Sequence, residues 1–195
     1  MNSTGQSSLD VNRLVTGMIR ASRLDQTFYG ELRSDTSWTQ DAWIVVIVVS
    51  ILGAIGAFLG TLLSLHSIFG AVGQLIWQIV AGVGGFALWA FLVTWVGNSW
   101  FKGQGDFGEV QRLLGFAYSP RILSVVSFIP CIGPLIALVG AIWSLVTGYF
   151  AIKDALGQDN TNAILTIVVS FVIVIVVTAV IGTVLGLGAF VGSRL

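Results

Sequence analysis

Arg121 is the side chain in this sequence whose position points most directly to binding chemistry. It follows Pro120 within the otherwise apolar stretch from Leu113 to Phe128. An arginine among apolar residues is costly unless it is paired, solvated or able to extend to a polar boundary. Its planar guanidinium could donate two hydrogen bonds to a lipid phosphate or another anion. The interpretation that the sequence favours over such a site is that Pro120 breaks a helix, so that Arg121 lies near a boundary that its long side chain can reach.

Catalysis needs acids, bases or nucleophiles that converge, and the sequence offers few of them. It has one histidine, His66, and one cysteine, Cys131, so a His- or Cys-based metal cluster and an internal disulfide both lack partners. No pair of carboxylates lies within an apolar stretch, and no glycine-rich phosphate loop ends in lysine. The sequence therefore predicts a protein without enzymatic activity, cofactor or bound metal.

The composition is typical of a membrane protein. Charged residues make up 9% of the 195 residues and apolar residues 55%, whereas about a quarter of the residues of soluble domains carry charge. A water-soluble fold could not bury that much apolar surface. The nine basic residues equal the nine acidic ones, so no net positive field favours nucleic acid as a partner. We therefore expect an all-α, polytopic helix bundle in a membrane.

Five segments are predicted to be transmembrane helices, since about 20 apolar residues are enough to cross the hydrocarbon core of a bilayer. Their approximate bounds are 42–65, 74–96, 108–128, 132–150 and 163–191. Gln78 is the only strongly polar side chain inside the second segment. The third is the least regular because it contains Pro120 and Arg121; if it re-entered without crossing, the later loops would change sides. Residues 1–41 are predicted to form a polar arm, and residues 42–195 a five-helix transmembrane domain.

The polar arm is predicted to contain a short amphipathic helix. On a helical wheel from Leu9 to Leu24, apolar side chains occupy one face and Arg13, Arg20 and Arg23 occupy the opposite one. Asp25 then fits as the N-cap of a second short helix. Two positions suit the first helix equally well: packed against its own protein, or lying in the lipid interface with its apolar face buried.

The distribution of basic residues predicts the orientation. With five crossings, seven Lys and Arg residues lie on the side of the N-terminus and only Arg194 lies on the other, with Arg121 unassigned. Because cytoplasmic loops carry the excess of basic residues, we predict a multi-pass protein of the cell membrane with a cytoplasmic N-terminus and an external C-terminus. The seven are Arg13, Arg20, Arg23, Arg33, Lys102, Arg112 and Lys153. Four charges also place the loop before the third segment in water, namely Lys102, Asp106, Glu109 and Arg112.

Small residues recur at spacings that let transmembrane helices approach closely. Because glycine is common in membrane helices generally, we expect these residues to pack the bundle against itself rather than to form a dedicated oligomer interface. The candidate packing residues are Gly56, Gly60, Gly140, Gly148, Gly182 and Gly186.

The stretch from Gly115 to Pro120, GFAYSP, follows a polar glycine-containing loop and leads into apolar spans. It resembles the Gly-Tyr and Pro pattern of the Yip-one (Yip1, Ypt-interacting protein) domain family. The stretch RASRLD, residues 20–25, together with an aromatic pair at 28–29 and Trp43, is similar to the bacterial branch of that family. The resemblance implies a five-helix membrane domain in which Gly115, Tyr118 and Pro120 shape the third helix.

Eukaryotic members of that family act in the early secretory pathway and associate with Rab-type GTPases, and their cytoplasmic arm carries an Asp-Leu-Tyr-Gly-Pro signature. This sequence lacks the signature. The resemblance therefore implies the membrane domain and does not extend to a Rab-type GTPase as a partner.

We expect a non-enzymatic membrane protein that acts in protein interaction or membrane organisation, with the lipid bilayer, other membrane proteins or further copies of itself as partners. The main alternative is a small-solute or ion transporter, which needs a polar, water-accessible cavity at mid-depth. A hydrated cavity lined by both Gln78 and Arg121 would favour transport. A third hypothesis, a lipid-handling enzyme or flippase, needs acidic or histidine side chains beside Arg121 at a groove open to lipid, for which Asp106 and Glu109 are the only candidates nearby in the sequence.

Overall fold

The structure is a computed structural model of the chain, and it describes residues 10–63 and 68–192. The elements in chain order are α1 (Val11–Ser22), α2 (Gln26–Ser34), α3 (Trp38–Leu63), α4 (Ile68–Trp100), α5 (Phe107–Ala117), a 3-10 helix (Ser119–Phe128), α6 (Ile132–Leu156) and α7 (Asn160–Gly192). Within the described residues, four helices are long and apolar enough to cross a membrane: α3, α4, α6 and α7. The prediction of an all-α membrane bundle is confirmed at this level.

The four long helices extend beyond the bounds predicted from hydropathy. Polar residues at their ends continue the helices, because nearby polar groups in the fold satisfy them. At the start of α3, Asp41 lies in the first helical turn, where a carboxylate suits the helix dipole, and its Oδ2 is 3.0 Å from Nε of Arg13. At the end of α6, the helix runs to Leu156 rather than residue 150 and stops at Gly157, which adopts the left-handed conformation typical of a C-terminal glycine.

The predicted third helix, 108–128, is not a single helix. Its first half is α5, which begins after Asp106, whose side chain accepts a hydrogen bond from the Gly108 amide at 2.8 Å. Pro120 lacks an amide hydrogen and cannot continue an α-helix. The chain therefore tightens after Tyr118 into the 3-10 helix, in which the amide of Arg121 donates to the carbonyl oxygen of Tyr118 at 3.1 Å.

Despite this break, the segment from α5 through the 3-10 helix runs along α3 and lies between α3 and α6. Gly115 faces the start of α3, where a Cβ on it would lie 2.8 Å from Cβ of Ala42. Phe128 faces Gly60 near the other end of α3, with its Cα 3.5 Å from the position of a Cβ on Gly60. Gly60 is 18 residues beyond Ala42, which is about 27 Å of helix. The segment from α5 through the 3-10 helix thus runs parallel to α3 over most of its length.

The N-terminal arm, α1 and α2, packs against α5 and the start of α3. Phe28, Trp38 and Phe116 form a triad of edge-to-face rings with centroids 5.3–5.5 Å apart. Gly17 of α1 lies against this triad, since a Cβ on it would be 2.6 Å from the ring of Phe116. These contacts hold the arm as part of the folded bundle. We call this end of the bundle the arm end.

At the arm end, hydrogen bonds also connect the ends of the long helices. Gln158, which is buried, donates from Nε2 to the carbonyl oxygens of Gly97 at 3.2 Å and Phe101 at 3.0 Å. The amide of Gln104 donates to the carbonyl oxygen of Leu156 at 3.1 Å. The end of α4, the start of α5, the end of α6 and the start of α7 therefore meet at the same end as the arm.

Candidate functional site

Gln78 and Arg121, which are far apart in the sequence, line the same cleft. The cleft consists of two adjoining cavities of about 410 and 220 Å³, and both are lined by Gln78, Gly82, Tyr118 and Arg121. The larger cavity extends towards α6 and α7, and the smaller towards α3. The structure therefore brings together two of the candidate residues that the sequence could place only on separate segments.

The break between α5 and the 3-10 helix sets the position of Arg121. Tyr118 is buried at the end of α5, and its ring packs edge-on against Phe86 of α4 with centroids 5.6 Å apart. Cζ of Arg121 lies 4.8 Å from the centroid of the Tyr118 ring, within the range of a cation–π contact. This contact holds the guanidinium at the cleft instead of letting it extend towards an end of the bundle.

Arg121 lies about halfway along the bundle. Ser124, one turn later, faces Gly53 of α3, where a Cβ would lie 2.7 Å from its Oγ. On the other side, the carbonyl oxygen of Pro120 lies 2.6 Å from the position of a Cβ on Gly140 of α6. Gly53 is 11 residues beyond Ala42, which is about 16 Å along the helix. The cleft is therefore well separated from the charged arm end.

Hydrogen-bond donors face this cleft, and two of them lack partners. Ser50 and Ser124 line the smaller cavity, and Trp89 lines the larger one. Oγ of Ser50 and Nε1 of Trp89 are buried and have no hydrogen-bond partner among the described residues. Leaving such a group unsatisfied costs about 1–3 kcal/mol. Two unsatisfied groups on one cleft are explained by a polar ligand or water that completes their hydrogen bonds.

No acidic side chain balances the charge of Arg121. All nine Asp and Glu residues of the chain lie within the described ranges, none of them lines either cavity, and Arg121 forms no ion pair there. Asp106 caps α5, and Oε1 of Glu109 lies 2.7 Å from Nε of Arg33. Neither of the two acidic residues closest in sequence therefore reaches Arg121, so the acidic cluster that the flippase hypothesis requires is not formed.

The cleft provides polar groups that can bind a ligand. It offers a guanidinium, an amide, hydroxyls and an indole, which orient a ligand by hydrogen bonding. The described ranges bring together no group of three His, Cys, Asp or Glu side chains that could hold a metal ion. The chemistry that the arrangement supports is recognition of a ligand.

The candidate packing glycines that the structure describes contact other elements of the same chain. A Cβ on Gly56 would lie 2.5 Å from the carbonyl oxygen of Val125, and one on Gly148 would lie 3.2 Å from the ring of Trp89. Gly60 and Gly140 face the 3-10 helix, as described above. Gly182 and Gly186 belong to α7, but their surroundings lie outside the described part of the chain.

Sequence reasoning missed Ser50, Gly82 and Trp89 as parts of the cleft. Gly82 allows α4 to approach α3 at Ser50, since a Cβ on it would lie 2.7 Å from Oγ of Ser50. Ser50 is the only hydroxyl residue between positions 42 and 60. That isolated polar side chain in an apolar run was the available signal, whereas nothing in the sequence distinguishes Trp89 from the other six tryptophans.

The profile of the Yip1 domain matches residues 23–181 of this chain. The chain is also similar to an uncharacterised protein of Methanocaldococcus jannaschii, with 25% identity over 126 residues, which are 60% of this chain and 89% of that protein. No solved structure matches it. The residues that match the Yip1 domain profile include the arm from Arg23 onwards and all the residues that line the two cavities. It does not separate the branches of the family, so similarity to the bacterial branch stays a prediction.

Proposed function

The chain belongs to the Yip1 domain family, and we propose that it is a non-enzymatic membrane protein that organises the bilayer around it through its N-terminal arm. The family and the four apolar helices make it a multi-pass membrane protein. The observation that supports the proposed role is an apolar stripe on α1 that remains exposed after α1 has packed against the bundle.

The α1 stripe consists of Val11, Val15 and Ile19, spaced four residues apart on one side of the helix. Their exposed fractions are 64%, 48% and 46%, whereas Gly17 and Ala21 on the packed side are buried. A helix that has already buried one apolar side and still presents a second is suited to contact with lipid as well as protein. We infer that α1 combines both positions that its sequence allowed.

The end of α1 joins the apolar outer surface of α6. Ser22, one turn after Ile19, accepts a hydrogen bond at its carbonyl oxygen from Nε1 of Trp143 at 2.9 Å. Trp143 and its neighbours Val139 and Ile142 are exposed on α6. Tryptophan is favoured where hydrocarbon meets headgroups. The stripe therefore continues the apolar outer surface of α6, and we infer that it contacts lipid beside that helix.

We also propose five crossings, with α5 and the 3-10 helix together providing the third. The parallel advance along α3 from Ala42 to Gly60 supports a segment that crosses although it is broken at Pro120. Seven of the nine basic residues lie at the arm end, and the positive-inside rule then places it in the cytoplasm. On this topology the C-terminus is external.

The arm can be tested by replacing one side of α1 at a time. In liposomes of mixed phosphatidylcholine and phosphatidylglycerol, we expect the full chain to change vesicle diameter and shape in cryo-electron micrographs. The Val15→Asp substitution should abolish the change because it puts a charge in the stripe. Thr16→Asp alters the adjacent exposed position and serves as the matched control. Equal remodelling by both variants, or none by the wild type, would refute the proposed role of α1.

Transport is the second candidate, because Gln78 and Arg121 do line shared cavities. Loading the same liposomes with a salt and a small solute measures it directly. Flux that requires Arg121 but is unaffected by Val15→Asp would favour a transporter. Remodelling that requires Val15 without flux would favour the membrane organiser.

A further inference from the structure

We propose that the cleft at Arg121 binds a phosphate-type oxyanion, supplied either by a phospholipid headgroup or by a free anion. The site is the cleft lined by residues of α3, α4, α6, α7 and the 3-10 helix, and its existence does not depend on the role proposed for α1. The argument rests on the charge of the cleft, on its unpaired donors and on the orientation of the guanidinium.

The charge of the cleft is not neutralised within the chain. Arg121 lies about halfway along α3, and none of the nine acidic side chains lines either cavity. A cation at membrane depth is stable only when it is paired, solvated or able to reach a boundary. Because the chain contributes no carboxylate here, an anion from outside the chain is the partner that would neutralise Arg121.

The polar groups around Arg121 are donors suited to an anion. Trp89 can only donate, and its buried Nε1 lacks a partner among residues 10–63 and 68–192, as does the hydroxyl of Ser50. Gln78 adds an amide that faces both cavities. A ligand with several acceptor oxygens would satisfy the donors of the cavity that it occupies, and Arg121 and Gln78 line both cavities. A bare cation would meet a like charge and no carboxylate.

The contact with Tyr118 leaves the guanidinium of Arg121 able to bind an oxyanion. Cζ of Arg121 lies 4.8 Å from the centroid of the Tyr118 ring, and the N–H edges of the guanidinium form no ion pair within the described ranges. Those edges match the spacing of two phosphate oxygens, which gives paired, charge-assisted hydrogen bonds. The larger cavity, about 410 Å³, falls within the usual range for small-molecule sites. The geometry thus favours phosphate chemistry over a monatomic anion.

The proposal can be tested on the delipidated full chain in a non-ionic detergent. Native mass spectrometry would compare phosphatidylglycerol with a diacylglycerol of the same acyl chains, which lacks the phosphate. In parallel, thermal unfolding followed by tryptophan fluorescence would compare inorganic phosphate with chloride at equal ionic strength. A preference for phosphatidylglycerol alone identifies a lipid headgroup as the ligand, and stabilisation by phosphate alone identifies a free anion.

Substitutions test whether the preference for phosphatidylglycerol or the stabilisation by phosphate depends on the cleft. We expect Arg121→Gln to weaken binding by about tenfold or more, since it removes a charge-assisted pair of hydrogen bonds. Arg121→Lys keeps the charge without the paired geometry and should restore binding only in part. Arg23→Gln removes an exposed arginine of the arm and should leave binding unchanged.

If Arg121→Gln does not fold, Ser50→Ala provides the test, because it removes one unpaired donor without changing the charge. Its affinity should fall severalfold while the unfolding temperature without ligand is maintained or raised. No preference for phosphatidylglycerol or phosphate in the wild type would overturn the proposal. Equal affinity in the wild type and the cleft variants would also overturn it.

Discussion

Nε of Arg112 donates to the carbonyl oxygen of Leu32 at 2.9 Å, across 80 residues of sequence. Nη2 of the same guanidinium donates to the carbonyl oxygen of Arg33 at 3.1 Å. The last carbonyl groups of a helix have no partners within the helix. Arg112, which is buried on α5, donates hydrogen bonds to two of these carbonyl groups of α2. It thereby joins the arm to the segment that leads into the cleft.

Replacing Arg112 should release α2 from the bundle. Hydrogen bonds to charged groups contribute about 1.5–3 kcal/mol, so Arg112→Met should destabilise the docked arm by roughly 2–4 kcal/mol. Hydrogen exchange of α2 amides, followed by mass spectrometry, would measure the loss of protection. Arg33→Gln is the matched control, since that side chain is 54% exposed and its ion pair with Glu109 should contribute less than about 1 kcal/mol. Comparable effects of the two substitutions would contradict the role assigned to Arg112.

The close approach of α3 to the 3-10 helix predicts a difference between two glycines of one helix. A Cβ on Gly56 would lie 2.5–2.6 Å from the carbonyl oxygens of Val125 and Ser124, whereas a Cβ on Gly60 would make an ordinary contact at 3.5 Å. Backbone atoms cannot move aside as a flexible side chain can, and overpacking costs about 1–3 kcal/mol. We expect Gly56→Ala to lower the unfolding temperature in detergent and Gly60→Ala to leave it unchanged or raise it, because alanine favours helix. A larger effect at Gly60 than at Gly56 would contradict this register of the 3-10 helix against α3.

The sequence was sufficient to predict the long helices, because their hydropathy depends on local composition alone. α3 contains no charge from Ala42 to Leu63, and α7 has none after Asn160 within its span. The predicted ends of the long helices were less accurate, because the ends depend on tertiary contacts. Asp41 in the first turn of α3, for example, pairs with Arg13 of α1.

The interior of the bundle could not be predicted in the same way. Arg112 was expected in water as a loop charge, but it is buried because its partners are carbonyl groups of α2, far away in the sequence. Pro120 indicated a break but not the 3-10 helix that follows it. That Gln78 and Arg121 share a cleft depends on how α4 packs against the 3-10 helix, which no local pattern contains.

The cap of α2 predicts how the arm responds to acid. The carboxylate of Asp25 accepts hydrogen bonds from the side chain of Thr27, from Nε of Arg20 and from the amide of Phe28, and these interactions hold its pKa well below the usual value. A carboxyl group with a lowered pKa stabilises the folded arm above the pKa of the unfolded chain, near 4. That contribution is lost as the pH falls further, through the pKa of the folded state.

We therefore expect hydrogen exchange of α2, corrected for intrinsic rates, to be constant from pH 7 to about pH 5 and to accelerate below about pH 4. Asp25→Asn should show faster exchange throughout, by about severalfold, because the charge-assisted hydrogen bond with Arg20 is lost. The same variant should lose much of the acceleration at low pH. An unchanged acid response in Asp25→Asn would assign that response to another carboxyl group.

The single cysteine provides a direct test of the five crossings. Cys131 is exposed, three residues beyond Phe128, which faces Gly60 near the end of α3 opposite the arm. If the segment from Gly115 to Phe128 crosses the membrane, Cys131 lies outside the cell. A membrane-impermeant maleimide should then label it in intact cells. In a Cys131→Ser background, Thr36→Cys in the arm should be labelled only after the cells are opened, which controls for leakage. Labelling of Cys131 only in opened cells would mean that the third segment re-enters on the arm side. In that case α6 and α7 would reverse their directions, and Lys153 would lie outside, against the positive-inside rule.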